Sequence, residues 1–225
     1  MPSEERDAGV GRASDRDEKE TGRIEAFSDG VYAIAITLLV LELKVPHGLD
    51  APGLRAALVQ QWPAYVAFLV SFLTIGIMWI NHHRLFDLLR RSDSGLLVLN
   101  GLQLLTVTVV PFPTALVAAY MGHDGGRVAA AVYTGWSLVI GAAYNVLWRY
   151  AASPGRRRPL LRVPPDAPEV RAIQDQYRLG PLWYGIAFAT SFASPALAVG
   201  MCGVLALYYA FPPKARDEAP ARRRR

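Results

Sequence analysis

Some polar side chains of this chain lie within segments that are otherwise apolar and long enough to cross a bilayer. Asp29 lies one turn inside the apolar run that begins at Ala26. A carboxylate costs about 2.5 to 3.5 kcal/mol at the centre of a bilayer on insertion scales, and less near its edge. Asp29 is therefore interpreted either as a group with partners on other helices or as a headgroup-level residue favoured by the dipole of a helix N-terminus.

A second set of polar residues lies at the end of the next apolar segment and at the start of the third. Trp79 and His82 are three residues apart, so they share one face of a helix. Taken alone, they are equally compatible with an interfacial belt of Trp, His and Arg side chains. Asn100 lies at the same predicted depth as Asp29 and His82, where an amide can form hydrogen bonds between helices.

No metal site and no enzymatic activity are predicted. His82, His83 and Asp87 are close in sequence, but adjacent side chains on a helix diverge by about 100°, which makes this a weak signature of metal binding. The single cysteine, Cys202, excludes an intrachain disulfide and a site with several cysteine ligands. No nucleophile with an adjacent base is apparent at membrane depth.

The first apolar segment carries two stripes when its residues are placed about 100° apart. One stripe consists of small residues that would permit close helix approach: Ala26, Gly30, Ala33 and Thr37. The neighbouring stripe is bulky and apolar: Phe27, Ile34, Leu38 and Leu41. Taken alone, such a bulky stripe is more typical of lipid contact or helix packing than of a pore lining.

The apolar segments that carry these residues predict an all-α, polytopic membrane protein. Segments near the length needed to cross about 30 Å of hydrocarbon occur at residues 26–43, 62–80, 95–118 and 128–148. A further apolar stretch covers residues 182–211, and Ser194-Pro195 interrupts it where a helix would stop and restart. We interpret this stretch as two short helices, which predicts six transmembrane helices in total.

The distribution of basic residues predicts the orientation of these helices. With six crossings and a cytoplasmic N-terminus, 21 Lys and Arg residues lie inside and only Lys44, Arg55 and Arg127 lie outside. This asymmetry follows the positive-inside rule, and both termini of a cell-membrane protein are then cytoplasmic. The high pI, about 9.5, is explained by orientation signals and contacts with lipid headgroups, so no nucleic-acid partner is expected.

A single membrane domain with two polar tails is predicted. Residues 1–22 form a disordered cytoplasmic tail, residues 23–212 form the six-helix domain, and residues 213–225 form a basic cytoplasmic tail. The loop at residues 153–181 is rich in Pro and Arg and contains a short possible helix at 169–177.

Three motifs together resemble one known family. The pattern Arg23-x-x-x-Phe27-Ser28-Asp29, the following run at residues 37–42, and Trp79-x-x-His82 resemble the transmembrane protein 175 family of lysosomal and prokaryotic potassium channels. The resemblance extends over the apolar core and implies a prokaryotic member with one repeat per chain. It also implies a homotetramer around one pore lined by the first helix, with potassium as the permeant ion and no cofactor.

The resemblance also implies roles for individual residues. Ile34, Leu38 and Leu41 would form apolar rings, and Thr37 a hydroxyl ring between Ile34 and Leu38, which reverses the interpretation of the bulky stripe. The implied structural polar motif, which holds the first helix against the second and third, comprises Arg23, Phe27, Ser28, Asp29, Trp79, His82 and Asn100.

A passive potassium-preferring channel is the leading prediction, and a proton-coupled secondary transporter is the alternative. In the transporter, Asp29 and His82 would carry protons. Broken helices in matching halves would favour a transporter, and only the fifth and sixth segments are short. No re-entrant Thr-Val-Gly-Tyr-Gly loop occurs in the sequence, so any selectivity must come from side chains of the pore helix.

Overall fold

The computed structural model describes the backbone of residues 3–154 and 158–211, and the side chains of these ranges from residue 20 onward. Its described part contains α-helices, one 3-10 turn and no β-strand. In chain order the elements are α1 (Ser3–Leu38), the 3-10 turn (Leu39–Glu42), α2 (Ala51–Gln60), α3 (Trp62–Asp87), α4 (Ser94–Thr108), α5 (Pro111–Tyr120), α6 (Gly126–Ala151), α7 (Pro168–Arg178), α8 (Gly180–Ser191) and α9 (Pro195–Ala210). The all-α prediction is confirmed.

Helix α1 begins earlier than the sequence predicts. Its backbone is helical from Ser3, so most of the segment predicted as a disordered tail is an extension of the first helix. Residues 3–22 contain no Pro, and half of them are Glu, Arg, Ala or Lys, although three Gly residues also occur. With no Pro to interrupt it, a helix nucleated in the apolar part of α1 can propagate into this segment. The basic tail predicted at residues 213–225 lies outside the described residues.

Four segments of the described chain are long and apolar enough to cross a membrane: Glu20–Glu42, Trp62–Asp87, Ser94–Tyr120 and Gly126–Ala151. The predicted break near Ser194 is confirmed, because α8 and α9 are separate helices and the Ser194 side chain caps α9 by accepting from Leu197 N at 3.4 Å. Helix α9 has 16 residues and α8 only 12. Six crossings therefore remain a prediction.

The third span is broken between α4 and α5. Pro111 has no N–H to donate and its ring clashes with the preceding turn. Val110 N therefore bonds to Val107 O at 3.1 Å and leaves the Thr106 carbonyl without its usual partner. The Trp136 indole of α6 donates to this carbonyl at 2.9 Å, so a polar backbone group exposed by the break is satisfied by a neighbouring helix.

Packing places α1 on one side of the bundle. Helix α6 packs against α4, α5, α8 and α9, and α3 packs against α5 and α9. Helix α1 packs mainly on α3 and α4. The buried core beneath α1 includes Tyr32, Ala35 and Leu39 together with Ile75 and Val107. One face of α1 is thereby held on the bundle while the opposite face stays open.

The Arg-rich loop is folded onto the ends of α3 and α6. Arg90 N donates to Leu160 O at 2.7 Å and Arg162 N donates to Leu88 O at 2.8 Å. The side chains of Leu160 and Leu161 are buried against Trp148. The short helix predicted in this loop is present as α7. The loop thus extends the hydrophobic core of the bundle beyond the apolar segments, which the sequence did not indicate.

Candidate functional site

The predicted pore residues lie on the open face of α1 and of the 3-10 turn that continues it, where Leu41 lies. The exposed fraction is 63% for Ile34, 43% for Leu38 and 61% for Leu41. Phe27, two turns before Ile34, is 68% exposed. On the opposite face Tyr32 is only 2% exposed. The bulky apolar stripe is therefore not used for packing against the described part of its own chain.

The small-residue stripe of α1 is open as well. Its members are all exposed: Ala26, Gly30, Ala33 and Thr37. A Cβ atom added at Gly30 would meet no heavy atom within 4 Å. This stripe does not bring α1 close to α3 or α4, so any close helix approach that it supports involves another molecule.

The Thr37 hydroxyl is oriented by its own helix. Its Oγ1 lies 2.9 Å from both the Ala33 carbonyl and the Ile34 carbonyl. A hydroxyl has one hydrogen to donate and two lone pairs. Donation to the backbone uses the hydroxyl hydrogen and leaves the oxygen lone pairs available as acceptors.

A buried chain of hydrogen bonds anchors α1 to α3 and α4. Ser28 Oγ donates to Ile24 O at 2.8 Å, and Asn100 Nδ2 donates to Ser28 Oγ at 3.1 Å. The Asn100 amide oxygen must then face His82, and it accepts from His82 Nε2 at 2.8 Å. Ser28 and His82 are fully buried. Each donor has a specific acceptor, so the chain fixes both the rotation of α1 and the tautomer of His82.

Aromatic contacts hold the His82 ring. The ring of Phe86 stacks on it at a centroid distance of 4.3 Å, and the Tyr32 ring of α1 lies at 5.4 Å. His82 Nδ1 is buried and has no hydrogen-bond partner among the described residues. The imidazole of α3 is thereby packed against α1 through the Tyr32 ring.

Asp29 and Trp79 form a second, separate link between α1 and α3. Trp79 Nε1 donates to Asp29 Oδ1 at 2.8 Å in a partly exposed position. The structure therefore divides the predicted polar motif into a buried chain and a rim pair. Arg23 and Phe27 belong to neither group, and both side chains are exposed.

A tyrosine network beneath α1 was not foreseen from the sequence. Tyr144 OH of α6 donates to Met78 O at 2.5 Å and accepts from Tyr32 OH at 2.7 Å. Gln103 Nε2 of α4 also donates to Tyr32 OH at 3.3 Å. Four helices thus meet at one hydroxyl pair. The only sequence signal was the spacing of Tyr32 four residues after Ser28, which places both on one face of α1.

We expect Tyr144→Phe to lower the stability of the protein by about 0.6 to 1.7 kcal/mol, the usual range for hydrogen bonds between membrane helices. The substitution removes the acceptor of Tyr32 and the donor to Met78 O while keeping the ring. Thermal unfolding of the purified protein in detergent measures the change. Tyr120→Phe is the matched control, because Tyr120 is 48% exposed. Equal unfolding temperatures for the two variants would contradict the prediction.

Comparison with known proteins identifies the family of this chain. The profile of a family described as the endosomal/lysosomal potassium channel TMEM175 matches residues 23–111. A potassium channel of Chamaesiphon minutus is 54% identical over 196 residues, which cover 86% of this chain and 95% of the relative. The chain belongs to the TMEM175 family.

Other TMEM175 relatives agree with this assignment. A potassium channel of Streptomyces collinus is 46% identical over 193 residues, covering 85% of this chain and 92% of the relative. The crystal structure of a lysosomal potassium-selective channel TMEM175 homolog from Chamaesiphon minutus superimposes with a TM-score of 0.77 at 53% identity. The superposition covers 85% of this chain and 97% of the homolog. The helices described above thus form a TMEM175 fold.

Proposed function

We propose that this chain forms a potassium-preferring cation channel in which ions move passively along a pore lined by α1. The observation that carries the proposal is the open stripe of Ile34, Leu38 and Leu41, whose helix is anchored from behind by buried hydrogen bonds. A helix held so rigidly by one face presents the other in a defined orientation. The potassium-channel names of its relatives agree with this role.

The pore requires several copies of the chain, and we propose a homotetramer. One chain supplies one α1, which cannot enclose a conduit by itself. The exposed small residues of α1, with no neighbour near Gly30, would let copies of this helix approach closely. The mass of the purified particle, measured by light scattering with detergent subtracted, should equal four chains; a monomer that still conducts would contradict the proposal.

Selectivity would arise from side chains on α1. Ile34 and Leu38 are four residues apart in α1, and Leu41 lies three residues further on in the 3-10 turn. With a rise of about 1.5 Å per residue in the α-helix and about 2.0 Å in the 3-10 turn, the apolar rings extend over roughly 12 Å of pore. Such rings give an ion no replacement for its hydration shell. Potassium sheds water more readily than sodium, and the lone pairs of Thr37 would supply part of the lost coordination. A modest potassium preference follows.

The orientation of the channel in the cell membrane can be tested by cysteine labelling. We expect both termini to be cytoplasmic and six helices to cross, because of the asymmetry of Lys and Arg. A membrane-impermeant maleimide added to intact cells should label His47→Cys and leave Asp166→Cys and Ala221→Cys unlabelled. The natural Cys202 is buried, so background labelling should be low. Labelling of Ala221→Cys from outside would contradict the six-helix topology.

A flux assay in liposomes tests the function directly. Protein reconstituted into vesicles with an outward potassium gradient should produce downhill potassium flux that needs no proton gradient. Replacing internal potassium by sodium should reduce the flux. Flux that stops when the proton gradient is collapsed, or that saturates at the slow turnover of a carrier, would instead favour the secondary transporter.

A further inference from the structure

Helices α1 and α3 face each other through two matched ladders of polar residues outside the buried hydrogen-bond chain. On α1, Glu25 and Asp29 are four residues apart. On α3, Trp79, His83 and Asp87 have the same spacing. Residues four apart lie above one another on a helix face. Asp29 pairs with Trp79, and Glu25 Oε1 lies 2.6 Å from His83 Nδ1.

The end of the two ladders that contains Glu25 and His83 brings together three side chains that can ligate a metal. His83 Nε2 also lies 3.9 Å from Asp87 Oδ2. One ligand atom from each of Glu25, His83 and Asp87 lies within 4.8 Å of the others. A tetrahedral ion with bonds of about 2.1 Å places its ligand atoms about 3.4 Å apart. Glu25 lies at Nδ1 of His83 and Asp87 lies at Nε2, so a single ion would bind one of these nitrogens. Rotation of the His83 and Asp87 side chains, which are more than half exposed, would bring both carboxylates to that nitrogen.

The imidazole of this group is positioned by its neighbours. The Trp79 ring stacks on His83 with a centroid distance of 6.2 Å and an interplanar angle of 24°. The indole is in turn held by its hydrogen bond to Asp29. Such support reduces the cost of ordering a histidine ligand and resembles the outer partners that orient ligands in metal sites.

We propose that Glu25, His83 and Asp87 form a binding site for a divalent transition-metal ion of the zinc class. One imidazole nitrogen and two carboxylate oxygens suit zinc, cobalt or nickel, whereas magnesium and calcium prefer oxygen ligands only. Three protein ligands leave a position open for water. The bound ion would replace the hydrogen bond between Glu25 and His83 by coordination, and would link α1 to α3.

The third ligand of this site comes from another helix, which is why the sequence alone did not predict the site. His82, adjacent to His83, is buried on the other side of α3 and bonded to Asn100. It is not available as a ligand. Its place is taken by Glu25, which lies 58 residues before His83 in the chain and reaches the site only because α1 packs on α3.

Cobalt(II) is a suitable probe because its visible absorption reports the coordination geometry. Full-length protein without a polyhistidine tag, stripped with a chelator, should bind one Co²⁺ per chain and show the intense bands of a tetrahedral site. Zn²⁺ should displace it and abolish the bands. Absence of these bands at saturating Co²⁺ would overturn the proposal.

Conservative variants test the ligands individually. Glu25→Gln and Asp87→Asn should each weaken Co²⁺ binding by about tenfold or more, because loss of even an outer partner of a ligand typically costs that much. His47→Gln, in the exposed segment before α2, is the matched control and should bind as the unaltered chain does. Asp87 is exposed, so its variant should keep the fold, which the thermal unfolding of the metal-free protein verifies. Unchanged affinity in both Glu25→Gln and Asp87→Asn would assign the binding to another part of the chain and overturn the proposal.

Discussion

Shortening the bulky residues of the open face of α1 should increase potassium flux and weaken discrimination against sodium. Ile34→Ala, Leu38→Ala and Leu41→Ala each widen one apolar ring, and in a homotetramer the change occurs once in every subunit. A wider ring stays hydrated, so the ion loses less of its water in passing. A decrease of about 1.4 kcal/mol in the barrier raises a rate tenfold, and we expect at least this change for Ile34→Ala or Leu38→Ala. Single-channel conductance and reversal potentials in mixed potassium and sodium measure it.

Ile36→Ala is the matched control for these variants. It removes the same atoms from the same helix, but Ile36 is partly buried and packs against the core beneath α1. It should lower stability and leave the ion preference unchanged. Thr37→Val keeps the width of the pore and removes the hydroxyl, so it should mainly reduce the potassium preference. If conductance and selectivity are unchanged in all three truncations, the open face of α1 does not line the pore.

The second large effect is expected at Asn100, the middle member of the buried hydrogen-bond chain. Asn100→Ala leaves His82 Nε2 without an acceptor and Ser28 Oγ without a donor, and both side chains are fully buried. An unsatisfied buried polar group costs about 1 to 3 kcal/mol. We therefore expect a clear decrease in unfolding temperature and in the yield of assembled protein.

Two further variants distinguish this role from a role in permeation. Ser28→Ala should have a smaller effect than Asn100→Ala, because it leaves one buried group, Asn100 Nδ2, without its partner, whereas Asn100→Ala leaves two, His82 Nε2 and Ser28 Oγ. Thr108→Ala, an exposed position at the end of α4, should change little. The potassium-to-sodium ratio of the Asn100→Ala channels that do assemble should remain normal. An altered ratio in a protein of normal stability would place Asn100 in the permeation path.

The all-α class, the four long apolar spans and the break before α9 could be derived from the sequence, because their causes are local. The length of an apolar run determines whether a helix can cross, and Pro195 ends one helix and starts another wherever the bundle places it. The helical period of the first segment places bulky residues on one stripe and small residues on another, so both stripes could be predicted without knowing which helices pack against α1. These features depend on residues a few positions apart, so they can be read without the tertiary structure.

The partners of the polar residues were decided only by the tertiary structure. Ser28 and Asp29 are adjacent in sequence but point about 100° apart on a helix, so the rotation of α1 decides which of them faces Asn100 and which faces Trp79. Tyr32 forms a hydrogen bond with Tyr144, which lies 112 residues further along the chain, and no local sequence pattern predicts such a pairing. Composition indicated a disordered N-terminal tail, whereas α1 extends into it as a continuous helix. Rotation and packing of whole helices are collective properties of the bundle, and they determine which residues of α1 anchor it and which remain exposed on its open face.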